Sequence, residues 1–471
     1  MKVVISGAGE VGYHVVGALY REGVDIVAID HNQAILEQLR QEYNITTILG
    51  NAIDSDVLVE ARVSEADLFL AITNYDETNI IACLMAGEVG AAMKIARVKT
   101  IDFGHETAVS DQTFPGIDLV INPYEVAAEH LTDLVSSPPV TDYNHFLADR
   151  VAMVRIPIER GSPLAEVSAM DFARNAQIPQ TLMVLIQRGG TSTIPHGEDV
   201  IHAGDQVYFI CEHDQLKRLY DYLELPHTAA RRVFINGGGN VGYALARRLE
   251  RKGLDVRILE ISEARCETLS QLLDRTLVLN ADGSDSQALK SEGIDHADYF
   301  VSVTAEDQTN VVSALLARQY GARHTIALVK QQEMIPIVMG GRQIDIAFSP
   351  RLLTARKLLR FVRGTRLDSF FSFPNSDIEL LELRIEPGMK CEEGTLASLD
   401  LPSGVLVGAV KRDAHIFIPH GDDRIQAGDT ILVIQQRRNR RVTRGFFLEP
   451  AAPGPGGRRA AGGAAAGRAA P

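Results

Sequence analysis

Two glycine clusters carry the clearest chemistry in this chain. Gly7-Ala8-Gly9-Glu10-Val11-Gly12 and Gly237-Gly238-Gly239-Asn240-Val241-Gly242 each place glycine at the first, third and sixth positions. In a strand-to-helix turn, the first glycine makes the sharp bend, the second lets backbone approach a pyrophosphate, and the third lets helix and strand pack closely. The helix that follows presents free N–H groups and a partial positive charge to the phosphates. Asp30 stands 18 residues after Gly12, where an acid accepts the ribose hydroxyls of an adenosine, and Glu260 holds the same place after Gly242. An acid there repels a 2′-phosphate, which favours NAD(H) over NADP(H). A Rossmann-like fold that has lost its ligand would keep the same glycines, and the second copy is the better candidate for that.

Other residues complete the two crevices. Asn51 and Asn280, read as lying just after the third strand, can meet an adenine edge or merely cap the next helix. Thr73 and Thr304 close the fourth strand, over the crevice where such sheets bind ligands. Arg97, near the end of the fifth strand, can reach a phosphate or make a surface ion pair. Leu328 takes its place in the second copy, so phosphate binding should differ between the copies.

These residues must be positioned by a chain that is written twice. Thr73, Asp76, Thr78 and Asn79 return as Thr304, Asp307, Thr309 and Asn310. A different unit also recurs: Ile194-Pro-His196-Gly197 with Ala203-Gly204-Asp205 returns as Ile418-Pro-His420-Gly421 with Ala427-Gly428-Asp429. The order is A–B–A–B, with expected domains at 1–140, 141–225, 231–365 and 366–445. Unit A alternates apolar runs with amphipathic stretches: strands at Lys2–Ser6, Asp25–Ile29, Thr46–Leu49, Leu68–Ile72 and Lys94–Val98, and helices at Val11–Arg21, Ile35–Glu42, Ser55–Ala61 and Glu77–Val89. Apolar strands alternating with helices predict an α/β fold, a doubly wound parallel sheet of Rossmann type. Unit B, with short strands cut by Gly, Pro and Asp turns, predicts a small α+β domain. Residues 451–471, only Ala, Gly, Pro and Arg, predict a disordered tail.

Composition excludes further readings. Lys+Arg 47 against Asp+Glu 61 leaves a net charge of −14, and no basic stripe suited to nucleic acid stands out. No apolar run is long enough to span a bilayer. The start, MKVVISGAGE, enters a strand directly and predicts no secretory leader. Cys83, Cys211, Cys266 and Cys391 lie far apart, which predicts a reduced, cytosolic chain. No Tyr-x-x-x-Lys, no Gly-Lys-Ser/Thr and no G-x-S-x-G occurs, so the common reductase, NTPase and hydrolase signatures are missing. His196 and His420 lack a second ligand at metal spacing and read as turn residues. Nucleotide sites without visible chemistry favour a sensor over an NAD-dependent oxidoreductase with an unrecognised active site, and no catalytic residue or metal site is assigned.

The A–B–A–B order, the two glycine loops and the acids Asp30 and Glu260 resemble the regulatory proteins of Trk-type potassium uptake. The A units are similar to RCK/KTN nucleotide-binding domains, and the B units to their C-terminal companions. The resemblance implies a cytoplasmic homo-oligomer, dimer or tetramer, peripheral on the inner face of the membrane, bound to a TrkH/TrkG-type potassium transporter. It implies NAD(H) at the first crevice, and NAD(H) or another adenine nucleotide at the second. Gly7, Gly9, Gly12, Asp30 and Arg97 match the family pattern, as do Gly237, Gly239, Gly242 and Glu260, while Leu328 departs from it. Helices near Val126–Val135 and Leu352–Val362 would suit the family's domain-pairing contacts. The second carries Arg351, Arg356, Lys357, Arg360 and Arg363, a stripe suited to a solvated face, an acidic neighbour or an anionic membrane surface.

Overall fold

The computed structural model describes residues 1–447 apart from 21–22, 100–107, 110–114, 137–141, 148–149, 177, 226–229, 332, 341–343, 364–366, 374–375 and 400. The segment 451–471, expected to be disordered, lies outside the described residues.

The first unit opens with β1 (Lys2–Ser6), α1 (Glu10–Tyr20), β2 (Asp25–Asp30), α2 (Gln33–Glu42) and β3 (Thr46–Leu49). It continues through α3 (Ser55–Glu60), β4 (Leu68–Ala71), α4 (Asp76–Val89), β5 (Lys94–Arg97), β6 (Ala108–Val109), β7 (Leu119–Ile121) and α5 (Pro123–Ser136). The strands lie in the order β3-β2-β1-β4-β5-β7-β6 and are parallel except β6, which runs against β7. Val3, Val4, Ile5 and Ser6 are all buried, as a strand covered by helices on both faces requires. Val11, Val15, Val16 and Leu19 turn one face of α1 into that core.

A small antiparallel unit follows: β8 (Asp142–Phe146), β9 (Val151–Pro157), α6 (Ala169–Asn175), β10 (Thr181–Arg188), β11 (Thr191–Thr193), β12 (Gln206–Glu212) and α7 (Leu216–Tyr222). Its sheet order is β11-β10-β12-β9-β8. The second parallel unit comprises β13 (Arg232–Asn236), α8 (Asn240–Arg251), β14 (Asp255–Glu260), α9 (Glu263–Leu272), β15 (Leu277–Asn280) and α10 (Ser286–Ser291). It ends with β16 (Tyr299–Ser302), α11 (Asp307–Gln319), β17 (His324–Leu328), α12 (Met334–Gly340), β18 (Ile346–Phe348) and α13 (Pro350–Arg363), ordered β15-β14-β13-β16-β17-β18. The last sheet, β19 (Leu367–Ser372), β20 (Ile378–Arg384), β21 (Val405–Arg412), β22 (His415–Phe417) and β23 (Thr430–Gln436), precedes α14 (Arg440–Phe447). The fold is thus two Rossmann-like parallel sheets, each followed by an antiparallel α+β unit.

The structure adds a sixth parallel strand to each large sheet, β7 and β18, where the sequence reading stopped at five. Each is only three residues long, too short to show a period of its own, and each ends just before a Pro that opens the next helix.

The two halves are packed reciprocally. Helix α5, which ends the first parallel unit, packs on α8 of the second, and α13, which ends the second, packs on α1 of the first. Leu358 and Ala355 of α13 are buried in the first unit's core beside Val15 and Leu19, each such leucine contributing about 2 kcal/mol. Glu125 of α5 binds Arg247 and Arg248 of α8 at 2.7 and 2.8 Å. Lys357 binds Glu129 at 2.7 Å, and Arg351 pairs with Glu10. The acidic neighbour of the basic stripe is therefore this chain's own first half, at least for Arg351 and Lys357. The side chains of Arg360 and Arg363 lie outside the described residues.

The two antiparallel sheets also face each other. Tyr208 meets Phe373 edge-on at 4.9 Å, and Phe146 meets Phe371 at 6.4 Å, in a core shared by both. A β-carbon on Gly408 would stand 2.6 Å from both Ile210 and Ile434. We expect Gly408→Val to overpack this seam and lower stability by about 1–3 kcal/mol, read by urea unfolding.

The repeated turns are alike in detail. Asp199 and Asp423 each accept the N–H of His196 or His420 at 2.7 Å, which closes both turns. Buried Asp205 and Asp429 are each gripped by an arginine of the preceding hairpin, Arg188 and Arg412, through two bonds of 2.7–2.8 Å.

Candidate nucleotide site

Each glycine loop leaves the end of a central strand, and backbone contacts dictate its composition. Gly7 has a left-handed φ of +99°, and a β-carbon there would come within 2.7 Å of Thr73 N. At Gly12 a β-carbon would lie 2.0 Å from the Gly7 carbonyl oxygen, so helix α1 can approach β1 only without a side chain there. Gly9 faces open space. Gly237, Gly239 and Gly242 repeat all three conditions. The loop is thus tight on the protein side and bare on the outer side, the arrangement that lets a phosphate meet backbone N–H groups.

The acids clasp these loops. Asp30 accepts the Ala8 N–H at 2.7 Å through one oxygen and the Asn32 N–H at 2.9 Å through the other. Glu260 does the same with Gly238 at 2.8 Å and Ser262 at 2.9 Å. A carboxylate oxygen has capacity for more than one donor, so each acid can still accept a ribose hydroxyl. Asn32 and Ser262 then cap α2 and α9.

The far wall is built by asparagines. Buried Asn79 accepts from Thr73 N and Oγ1 at 2.8 and 2.7 Å and donates to the carbonyls of Thr73 and Arg97. Asn310 repeats the set with Thr304 and Leu328. These residues tie the ends of β4 to β5 and of β16 to β17, and fix the rim that carries Thr73 and Thr304. Asp76 and Asp307 brace the next turn by accepting the N–H of Lys99 and Lys330.

In the first half an open cleft of about 590 Å³ is lined by Gly7, Gly9, Glu10, Val11, Asp30, Asn51, Thr73 and Arg97, among others. Ala8 and Gly12 shape it from beneath: one holds Asp30, the other seats α1. Arg97 makes no ion pair among the described residues. Its Nε is buried without an acceptor, and its guanidinium donates from one terminal nitrogen to the Thr73 carbonyl and the Asn74 side chain, both at 3.4 Å. Burial lowers its pKa below the ordinary arginine value, and the charge of Arg351 pushes the same way.

The second crevice differs in three ways. Leu328 stands in register with Arg97, each just before the strand's exit turn. Arg265 occupies the position of Ile35 and donates from Nε to the Gly238 carbonyl at 2.8 Å, so a cation does reach this loop by another route. The third difference corrects the pairing of Asn51 with Asn280. Strand pairing sets Asn280 beside Glu260, where Leu49 pairs with Asp30, so Asn280 is the counterpart of Leu49. Its amide donates to the carbonyls of Glu260 and Ile261 at 3.0 Å. Asp282 is the true counterpart of Asn51, and both bond the N–H two residues on. Asn240 and Val241 open α8, and Thr304 lies under Gly237.

Two parallel sheets of dinucleotide-binding order, each opened by a clasped glycine loop and trailed by an antiparallel companion, define a tandem Rossmann protein. The TrkA-N domain family matches residues 3–123 and 233–350, and the TrkA-C domain family matches 153–224 and 380–446. The chain is 33% identical to the Trk system potassium uptake protein TrkA of Halomonas elongata, over 95% of this chain and 98% of that protein. It is 30% identical to the Vibrio alginolyticus protein of the same name, over 92% and 95%. The chain belongs to the TrkA family of Trk potassium uptake proteins. The GsuK RCK domain shares the fold, with a TM-score of 0.59 at 19% identity over 94% of each chain. A GsuK channel bound to NAD superposes equally well, with a TM-score of 0.59 over 94% of this chain and 78% of that one. No helix among the described residues is long and apolar enough to cross a membrane.

Proposed function

We propose that this chain is the nucleotide-sensing regulatory subunit of a Trk-type potassium uptake system. It takes NAD(H) at the first crevice and NAD(H) or another adenine nucleotide at the second, and so controls gating of a TrkH/TrkG-type membrane transporter. It works as a cytoplasmic homo-oligomer, peripheral on the inner face of the membrane, and not as an enzyme. The observation that carries this reading is the twinned loop: bare of side chains outward, at a helix N-terminus, with an acid holding it from the adenosine side. The names of the relatives support the potassium system, and the NAD-bound GsuK channel supports the ligand class.

The mechanism is differential affinity. A nucleotide shifts a conformational equilibrium only as far as it binds one state better than the other. The loops feed directly into α1 and α8, and these are the helices that receive α13 and α5, so a ligand at a loop bears on the contact between halves.

Calorimetric titration of NADH tests the proposal. Asp30→Ala should weaken binding at least about tenfold, which is about 1.4 kcal/mol, and more than Glu260→Ala does, because Arg97 has no counterpart in the second crevice. Equal losses would remove the asymmetry. Absence of NADH and ATP binding to the unaltered chain, or steady NADH turnover with a carbonyl substrate, would overturn the sensor reading.

A further inference from the structure

The first crevice is not built by the first half alone. Arg351 stands near the start of α13, in the second half, yet lines the same cavity as Gly9, Asp30 and Arg97. Packing puts it there: α13 buries Ala355 and Leu358 against α1, and Lys357 anchors to Glu129. Its guanidinium pairs with Glu10, the first residue of α1. The Glu10 side chain is 61% exposed, so its carboxylate can swing away without being stranded in the interior.

The charges are arranged for a visitor. Glu10 holds the helix N-terminus, where negative charge is favoured and where a phosphate would bind. Arg97 is half-buried in the same cavity without a carboxylate partner among the described residues, its Nε buried and unsatisfied. Two guanidinium groups sharing one cavity repel, and a buried Nε that lacks an acceptor is costly. A polyphosphate at the helix terminus would answer both, and it would repel Glu10.

We propose that Arg351 is a phosphate-binding residue of the first site, delivered by the second half and held by Glu10 until a nucleotide polyphosphate displaces that carboxylate. The proposal rests on the nucleotide reading of the first crevice. The ligand then bridges the two halves, because Arg97 belongs to one and Arg351 to the other. The exchange is confined to the first crevice. In the second, Asn240 replaces Glu10, and Tyr124, which follows Pro123 as Arg351 follows Pro350, replaces the arginine. The effect grows with ligand charge, so ATP should feel Arg351 more than NADH, whose pyrophosphate carries less.

Calorimetric titrations of ATP, ADP and NADH into the full-length chain test this. Arg351→Gln should weaken ATP binding about tenfold, as loss of a charge-assisted contact implies, and weaken NADH binding less. Glu10→Gln should tighten ATP binding, and that gain should shrink when Arg351→Gln is added. The opposite signs separate this role from a purely structural one, because breaking an interface pair from either side would weaken binding alike. Unchanged ATP affinity in Arg351→Gln, or weakened affinity in Glu10→Gln, overturns the proposal while leaving the nucleotide site intact. Failure of the unaltered chain to bind any of the three overturns the nucleotide reading and this proposal with it.

Discussion

Gly12→Ala will cost about 3 kcal/mol of folding stability, whereas Gly9→Ala, three residues away in the same loop, will cost about 0.5 kcal/mol or less. The difference lies in what each new methyl would meet. At Gly12 it would stand 2.0 Å from a backbone oxygen of Gly7. Gly7 has little room to retreat, since even a β-carbon built on it would stand 2.7 Å from the Thr73 backbone nitrogen. The clash must therefore be relieved by lifting α1 off the sheet, which opens the core around Val11, Val15 and Leu19. Because α1 also carries α13, the damage should spread to the contact between halves. At Gly9 the methyl meets no protein atom within 4 Å and points where a pyrophosphate would approach. Gly9→Ala should then keep its urea midpoint and lose nucleotide affinity by about tenfold or more. Unfolding curves and calorimetry on the two variants check both halves of the statement. A Gly9→Ala protein that binds NADH normally would show that phosphates do not lie against this loop.

How far the sequence foretold these features depends on which interactions made them. The strands and helices around the first loop lie within one or two residues of where apolar periodicity places them, because burial on both faces leaves a continuous signal. The twinned loops were readable because glycine at fixed spacing has few other uses. The Asn51–Asn280 pairing failed for a local reason. The extra residue of the second copy lies between the end of α9 and the start of β15, which makes Asp282 the counterpart of Asn51; Asn280, two positions earlier, matches it in residue type alone. Asn79 and Asn310 were visible as repeat markers, but their bonds across strand ends depend on parallel pairing that no spacing discloses. Arg265 can be found by noting that it replaces Ile35, a polar residue at an apolar position. Arg351 was visible only as one member of a basic stripe. Its place in the first cavity comes from how two distant halves dock, which is tertiary information.

Glu125→Ala should be the most damaging single change outside the glycine loops, with a loss of about 3–5 kcal/mol in urea unfolding. Glu125 is 6% exposed and Arg247 7%, and both Glu125 oxygens are used, one by Arg247 at 2.7 Å and one by Arg248 at 3.0 and 2.8 Å. Removing the carboxylate takes a charged acceptor from the buried Arg247 guanidinium in the seam between α5 and α8, while the more exposed Arg248 can turn to water. The penalty thus includes the cost of a buried arginine losing its countercharge, and is not a measure of what the bridge itself contributes. Glu125→Leu combined with Arg247→Leu should recover most of the loss, since a buried pair exchanged for apolar side chains is often neutral. If the double variant is as unstable as Glu125→Ala, the bridge is needed for the seam's geometry and not only for charge balance. The two crossings are reversed in sign: an acid of the first half meets arginines of the second on α8, and basic residues of α13 meet acids of the first half. These pairs join one half to the other, and the same reversal disfavours α5 docking on α1, where Glu125 would approach a helix that opens with Glu10. Charge at the seam thus specifies which half pairs with which, and the burial of apolar helix faces supplies the stability.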